Sequence, residues 1–150
     1  MKLSKLLFVC LCFAFTACSK GGGDTPTPTP PTPVAEPDIA FKIEIDAKEI
    51  DYSAIYAALG ATQAVNINIT PASFPKDGVT IDMVVKKVLD NSVVFSDSKA
   101  GTTAATNAFT IQNLVSGVEC SGSVTVTSKT LDPVSKTYKS LNKTFRIGRK

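Results

Sequence analysis

The chain has 150 residues, with 16 Lys and Arg, 13 Asp and Glu and no His, so its formal net charge is +3 at pH 7. A charge so close to neutrality gives no electrostatic case for binding nucleic acid. Without His the chain lacks the commonest general base and the commonest metal ligand, which argues against the usual hydrolytic and zinc-dependent chemistries.

The first 17 residues have the layout of an export signal. Lys2 and Lys5 precede an unbroken apolar run over residues 6–15. A run of this length fits the hydrophobic region of a signal peptide, and it is too short to cross a bilayer as a helix. Phe15 is large at a position where an ordinary signal peptidase requires a small side chain. Simple secretion is therefore not predicted.

Residues 15–18 read Phe-Thr-Ala-Cys, and this stretch resembles the lipobox of bacterial lipoproteins. The resemblance implies that residues 1–17 are removed, that Cys18 carries a diacylglyceryl thioether, and that its amino group is fatty-acylated. Two or more acyl chains anchor a protein stably, since each buried methylene contributes about 0.8 kcal/mol. We therefore expect a protein anchored through Cys18 to the bacterial outer membrane, on its periplasmic face or at the cell surface.

Residues 18–37 predict a disordered, Pro-rich tether. Three consecutive glycines at 21–23 give mobility directly after the lipid site. The Thr-Pro alternation between Thr25 and Pro37 removes backbone donors and favours the polyproline II conformation. At about 3.1 Å per residue, this stretch would hold the following domain roughly 40 Å from the bilayer.

Alternating apolar and polar side chains predict strands in much of residues 38–150. The pattern is clear at 39–46, 65–69 and 79–85, and loop signals fill 71–78. After the turn signal at Asp90, residues 92–96 fit a further strand, and residues 97–107, which are small and polar, predict a loop.

The end of the chain predicts a hairpin. A strand over residues 121–130 is followed by loop signals at 131–135 and by a second strand within residues 136–149. Phe145 and Ile147 alternate with polar residues, so we expect their side chains to point into the core.

Residues 46–60 leave two interpretations open. The segment 46–49 can turn the chain into a second short strand through Ile50 and Tyr52. Residues 52–59 also fit a short helix, with Ser53 as its cap and Gly60 as its stop. A strand followed by irregular structure is the favoured prediction.

Residues 109–126 resemble the turn between the fifth and sixth strands of fibronectin type III domains. Leu114, Gly117 and the alternating apolar residues that follow fit that pattern, whereas Cys120 stands where those domains carry a tyrosine. The resemblance implies an all-β, antiparallel immunoglobulin-like sandwich of about seven strands over residues 38–150. Such sandwiches host many unrelated functions, so the resemblance predicts the fold alone.

No stretch after Cys18 carries a catalytic or cofactor-binding pattern, so we predict neither an enzyme nor a bound cofactor or metal. Cys120 lies in an alternating apolar pattern and is predicted to be a small core residue. Asp46, Glu49 and Asp51 lack the spacing of a calcium loop, so we interpret them as a solvated hairpin tip.

Two aromatic residues fall outside the inward-facing strand positions and are candidates for ligand contacts. Phe74 lies in the loop between Pro71 and Pro75, and Tyr138 lies on the last strand. Aromatic side chains on a surface can stack on a sugar, but packing under the loop or across the sheet edge is the favoured interpretation of both residues.

Together these patterns predict a non-catalytic, lipid-anchored cell-envelope protein. Its sandwich domain would act as a structural or protein-interaction module. The alternative is a carbohydrate-binding lipoprotein of an outer-membrane glycan uptake system, with Phe74 and Tyr138 as contacts. The expected partners are the membrane, through acylated Cys18, and an envelope protein or a glycan.

Overall fold

A computed structural model describes residues 30–150, and Thr32–Lys150 forms one compact unit. The predicted signal peptide at 1–17, the lipid site Cys18 and most of the predicted tether lie outside the described residues. Residues 30–40 contain no helix or strand and are mostly exposed.

The described residues contain nine β-strands and one short 3-10 turn. The strands are β1 Phe41–Ile45, β2 Lys48–Glu49, β3 Ile55–Ala58, β4 Gln63–Ile69, β5 Val79–Lys87, β6 Val93–Thr102, β7 Thr106–Ile111, β8 Glu119–Leu131 and β9 Tyr138–Arg149. The 3-10 turn, Pro71–Ser73, begins the connection from β4 to β5.

The strands form two sheets. One sheet has the order β2-β1-β4-β7, and the other has the order β3-β9-β8-β5-β6. Neighbouring strands are antiparallel except for β3 and β9, which are parallel. The prediction of an all-β sandwich is confirmed. The strand count exceeds the expected seven because the structure adds two short strands, β2 and β3, of two and four residues.

The core lies between the sheets and is built by the period-two alternation. On β1, for example, the side chains of Phe41, Ile43 and Ile45 are buried and those between them are not. Full burial of such a side chain stabilises the fold by about 1.5–3 kcal/mol. The largest fully buried side chains are Phe145, Ile43, Ile67, Ile81, Met83, Ile111, Leu114, Ile147, Val65, Val79, Val85 and Val124.

The hairpin of β8 and β9 confirms the prediction for the end of the chain. Phe145 and Ile147 of β9 are buried, as expected. Gly122 of β8 lies directly opposite Phe145. A Cβ atom at Gly122 would come within 2.3 Å of the Phe145 ring, so the glycine leaves the space that this ring occupies.

The prediction of a loop over residues 97–107 is wrong. Strand β6 continues to Thr102, and β7 begins at Thr106. Asp97 and Lys99 pair with Met83 and Ile81 of β5, so their charged side chains occupy inner-face positions. The strand is held by backbone pairing to β5 at the edge of its sheet, and it therefore lacks the apolar alternation that marks a buried strand.

The helix alternative for residues 52–59 is also wrong. Strand β2 ends at Glu49, irregular structure follows, and β3 then pairs with the end of β9. Ile50 and Tyr52, which were expected to lie on a strand, instead pack against the core as partly buried side chains of the crossing segment.

Candidate functional site

Phe74 contributes to packing at one end of the sandwich. It follows the 3-10 turn, and its N–H donates to the Pro71 carbonyl at 3.2 Å. Its side chain is partly buried against the core. The loop thus directs the ring inward, so little of it is available to stack on a ligand.

Tyr138 is the more accessible of the two aromatic candidates. It is the first residue of β9, and 57% of its surface is exposed. It borders an open cleft of about 570 Å³ together with Asp38, Ile39 and Ser135, and Phe74 does not line this cleft. The structure therefore gives the two predicted contacts no shared cleft.

The outer face of the five-stranded sheet beside Tyr138 is rich in hydroxyl and amide groups. Asn142 of β9 donates from its side chain to Ser123 Oγ and Thr125 Oγ1, both at 2.8 Å. Thr127 and Ser140 approach each other at 3.3 Å. These polar groups largely satisfy one another across the strands.

Lys139 binds the segment that leads into the domain. Its Nζ donates to the Glu36 carbonyl and to Asp38 Oδ1, the latter at 2.8 Å, and lies 3.5 Å from Asp132 Oδ2. The neighbouring carboxylates raise the pKa of Lys139. We call Lys139, Asp38 and Asp132 the clasp.

Asp132 is the buried member of the clasp. Its Oδ1 accepts hydrogen bonds from the N–H groups of Ser135 and Val134, at 3.0 and 2.7 Å. These two backbone donors lower the pKa of Asp132, and the nearby Lys139 adds to the effect. The buried carboxylate therefore orders the turn between β8 and β9 and holds Lys139.

Four apolar side chains are exposed at the opposite end of the sandwich. Leu59 and Leu89 are 89% and 94% exposed, and Val88 and Val115 are about half exposed. They lie in the connections from β3 to β4, from β5 to β6 and from β7 to β8. We call these four residues the apolar end.

Backbone hydrogen bonds hold the loops of the apolar end together. The Leu114 N–H donates to Ala61 at 2.9 Å, and the Val88 N–H donates to Glu119 at 3.0 Å. Gly117, with a positive φ of 73°, donates to Arg149 at 3.0 Å. A shallow cavity of about 270 Å³ opens between Val88, Leu89 and the residues around Gly117. The apolar side chains thus project from ordered backbone.

The acidic residues of the segment 46–51 make contacts within the domain. Tyr56 donates its hydroxyl hydrogen bond to Asp46, which raises the pKa of Tyr56 to about 12. Asp51 accepts from the hydroxyl and N–H of Ser53, which lowers the pKa of Asp51. Glu49 pairs with Lys42 at 2.9 Å. Among residues 30–150, no group of three or more His, Cys, Asp or Glu residues is placed to hold a metal ion.

Cys120 is buried on the inner face of β8, opposite Ile147. Burial raises the pKa of its thiol, so the unreactive protonated form is favoured. This placement agrees with the predicted role of a small core residue.

No protein-family model, curated protein or solved structure matches this chain. Within residues 30–150, none of the structure forms a helix long and apolar enough to cross a membrane.

Sequence reasoning did not find the apolar end. Its residues lie in loops, where they contribute nothing to a period of two. A usable signal was present in Val88-Leu89, an apolar pair directly before the turn residues Asp90 and Asn91.

Proposed function

We propose that the chain is a non-catalytic, lipid-anchored cell-envelope protein whose immunoglobulin-like sandwich acts as a protein-interaction module. The lipobox-like stretch ending at Cys18 supports the anchor. The clasp supports a fixed orientation of the sandwich relative to residues 36–38, because it holds these residues at one end of the sandwich.

The observation that carries the interaction role is the apolar end. Single exposed apolar residues are normal on protein surfaces, but apolar side chains grouped on one region mark interaction sites. Here four such residues project from three connected loops, at the end opposite to residues 36–38. An anchored domain would present this end to a partner.

The anchor is tested with the Cys18→Ala variant and with globomycin, which blocks the lipoprotein signal peptidase. We expect an unprocessed precursor in both cases, and no lipid labelling of the Cys18→Ala variant. Normal processing together with lipid labelling of the variant would contradict the anchor.

The interaction role is tested by placing a photo-cross-linking amino acid at Leu89 in the full-length protein in cells. We expect a discrete adduct that mass spectrometry identifies as one protein and that is lost on Leu59→Asp substitution. The same probe at Thr125, on the outer sheet face, is the matched control. Equal adducts at both positions, or none at Leu89, would contradict a role for the apolar end.

A second candidate function, glycan binding, is favoured by the exposure of Tyr138 beside the hydroxyl-rich outer face. An aromatic platform next to hydrogen-bonding groups suits a sugar ring. Calorimetry of the full chain in detergent micelles against a glycan panel tests it. Binding that is lost on Tyr138→Ala would support this function, and no binding at millimolar sugar would remove it.

A further inference from the structure

One long stretch of β9 has a strand partner on a single side. Strand β9 spans Tyr138–Arg149, but β3 pairs only with its last four residues, Arg146–Arg149. Over residues 138–145, β8 is the only neighbouring strand in the described part of the chain. We call the unpaired side of this stretch the open edge.

The register identifies the backbone groups that face the open edge. Glu119 of β8 accepts a hydrogen bond from Val88, so its carbonyl points toward β5 and away from β9. Its partner Gly148 therefore directs its own N–H and C=O away from β8. The direction alternates along an antiparallel strand, so Thr144, Asn142 and Ser140 face the same way, as does Tyr138 at the start of β9.

These backbone groups are available for pairing. Between them the four residues present four N–H and four C=O groups, and no hydrogen bond within residues 30–150 uses any of the eight. An edge of this kind is a template for an added strand. Over residues 140–145 the pairing of β9 with β8 is regular, so the edge is not interrupted by a bulge.

The charge beside the open edge indicates which kind of strand would bind there. Lys143 Nζ lies 5.2 Å and 4.9 Å from the ring centroids of Phe41 and Tyr52, and 3.4 Å from the Tyr52 hydroxyl. It forms no ion pair with a carboxylate of the described residues. A strand added at the open edge would bring one of its side chains next to this ammonium group, where a carboxylate is favoured.

A second copy of the chain is disfavoured at this edge in the register that overlaps most. Two copies of residues 138–144 that overlap fully in antiparallel register would be centred on Leu141. That register places Lys139 of each copy directly opposite Lys143 of the other. Like charges in directly opposed cross-strand positions are destabilising. The cleft beside Asp38 and Tyr138 remains open for a side chain of a different partner.

We propose that the open edge of β9 binds an extended segment of a partner protein as an added strand, with an acidic side chain of that segment next to Lys143. This rests on the interaction role proposed above but uses a surface separate from the apolar end. Backbone hydrogen bonds supply the affinity, and Lys143 supplies the preference for an acid.

The test uses the full chain in detergent micelles and two short blocked peptides of alternating Thr and Val, one with a central Glu and one with a central Lys. Residue-resolved hydrogen exchange is measured with each peptide. We expect protection of the Ser140 and Asn142 amides, with the Glu peptide binding roughly twofold to fivefold more tightly. Lys143→Glu should reverse this order. The Lys86→Glu variant, on the outer face, makes the same change in charge and should leave the order of the two affinities unchanged.

The Lys143→Met variant keeps the aliphatic packing, so it covers the case in which Lys143→Glu fails to fold. It should still gain protection at Ser140 but bind both peptides equally. The proposal would be overturned if the peptides protected no amides, or protected amides of β6 instead. It would also be overturned if the unmodified protein bound both peptides equally, or if it formed a dimer through β9. These outcomes leave cross-linking at Leu89 unaffected, so the two proposals can fail separately.

Discussion

Strand β6 and residues 138–145 of β9 both form edges of the same five-stranded sheet, but only the edge of β6 has a backbone donor held by a side chain. On β6 the Asp97 carboxylate accepts the N–H of Ser98 at 2.8 Å, and Ser98 lies opposite Asp82 at a position whose N–H faces the edge. This contact occupies a donor that an added strand would need. Along residues 138–145 of β9, no described side chain accepts from the edge N–H groups. The difference indicates that the edge of β6 is protected from strand addition, whereas the edge along residues 138–145 of β9 is accessible to it.

The largest effect is expected from Gly122→Ala, which disturbs the support of the open edge. The new methyl group would overlap the buried Phe145 ring, and overpacking of this kind costs about 1–3 kcal/mol of unfolding free energy. Chemical denaturation of the full chain measures it. Gly60→Ala is the control, since its nearest described neighbour would be 3.7 Å away. Equal stability of the two variants would contradict the packing described for β9.

A second substitution should make the edge of β6 accessible to an added strand. Asp97→Ala removes the acceptor from the Ser98 N–H and one inner-face charge. We expect concentration-dependent self-association of the variant through β6, measured by sedimentation in density-matched micelles. Asp77→Ala, in the loop before β5, makes the same change in charge and should remain monomeric. A monomeric Asp97→Ala protein would show that Asp97 does not protect this edge.

A smaller, pH-dependent effect is expected where β9 begins. The folded protein lowers the pKa of Asp132 below the ordinary value of 3.8. A lowered pKa stabilises the fold above the ordinary value, and this stabilisation is lost as the pH falls through the folded-state pKa. Urea unfolding should therefore show Asp132→Asn to be less stable than the unmodified protein at pH 6, with the difference shrinking below about pH 4. A difference that grows on acidification would contradict the stabilising role given to the Asp132 carboxylate.

The sequence predicted those strands whose inner faces are apolar. Ile43, Ile67 and Ile81 lie on β1, β4 and β5, and each belongs to a period-two pattern that burial requires. The first part of β6 was predicted as a strand, but its continuation from Asp97 to Thr102 was missed because backbone pairing at an edge tolerates Asp97 and Lys99 on its inner face. Strand β3 is only four residues long and depends on its pairing with β9.

The candidate surfaces were harder to predict than the strands. The open edge exists because β3 stops short of Phe145, which is a property of strand pairing and has no local sequence signal. The apolar end depends on loops that are distant in sequence, such as those containing Ala61 and Leu114, being held together by the fold. Tyr138 was found because it is an aromatic residue with no place in the inward pattern.

Residue-resolved amide hydrogen exchange of the unmodified full chain in micelles, with no peptide added, tests the open edge most directly. The account predicts an alternating pattern in β9, with fast exchange at Ser140, Asn142 and Thr144 and slow exchange at Leu141 and Lys143, which pair with β8. Uniformly slow exchange over residues 138–145 would show that the edge is already covered and would contradict the account.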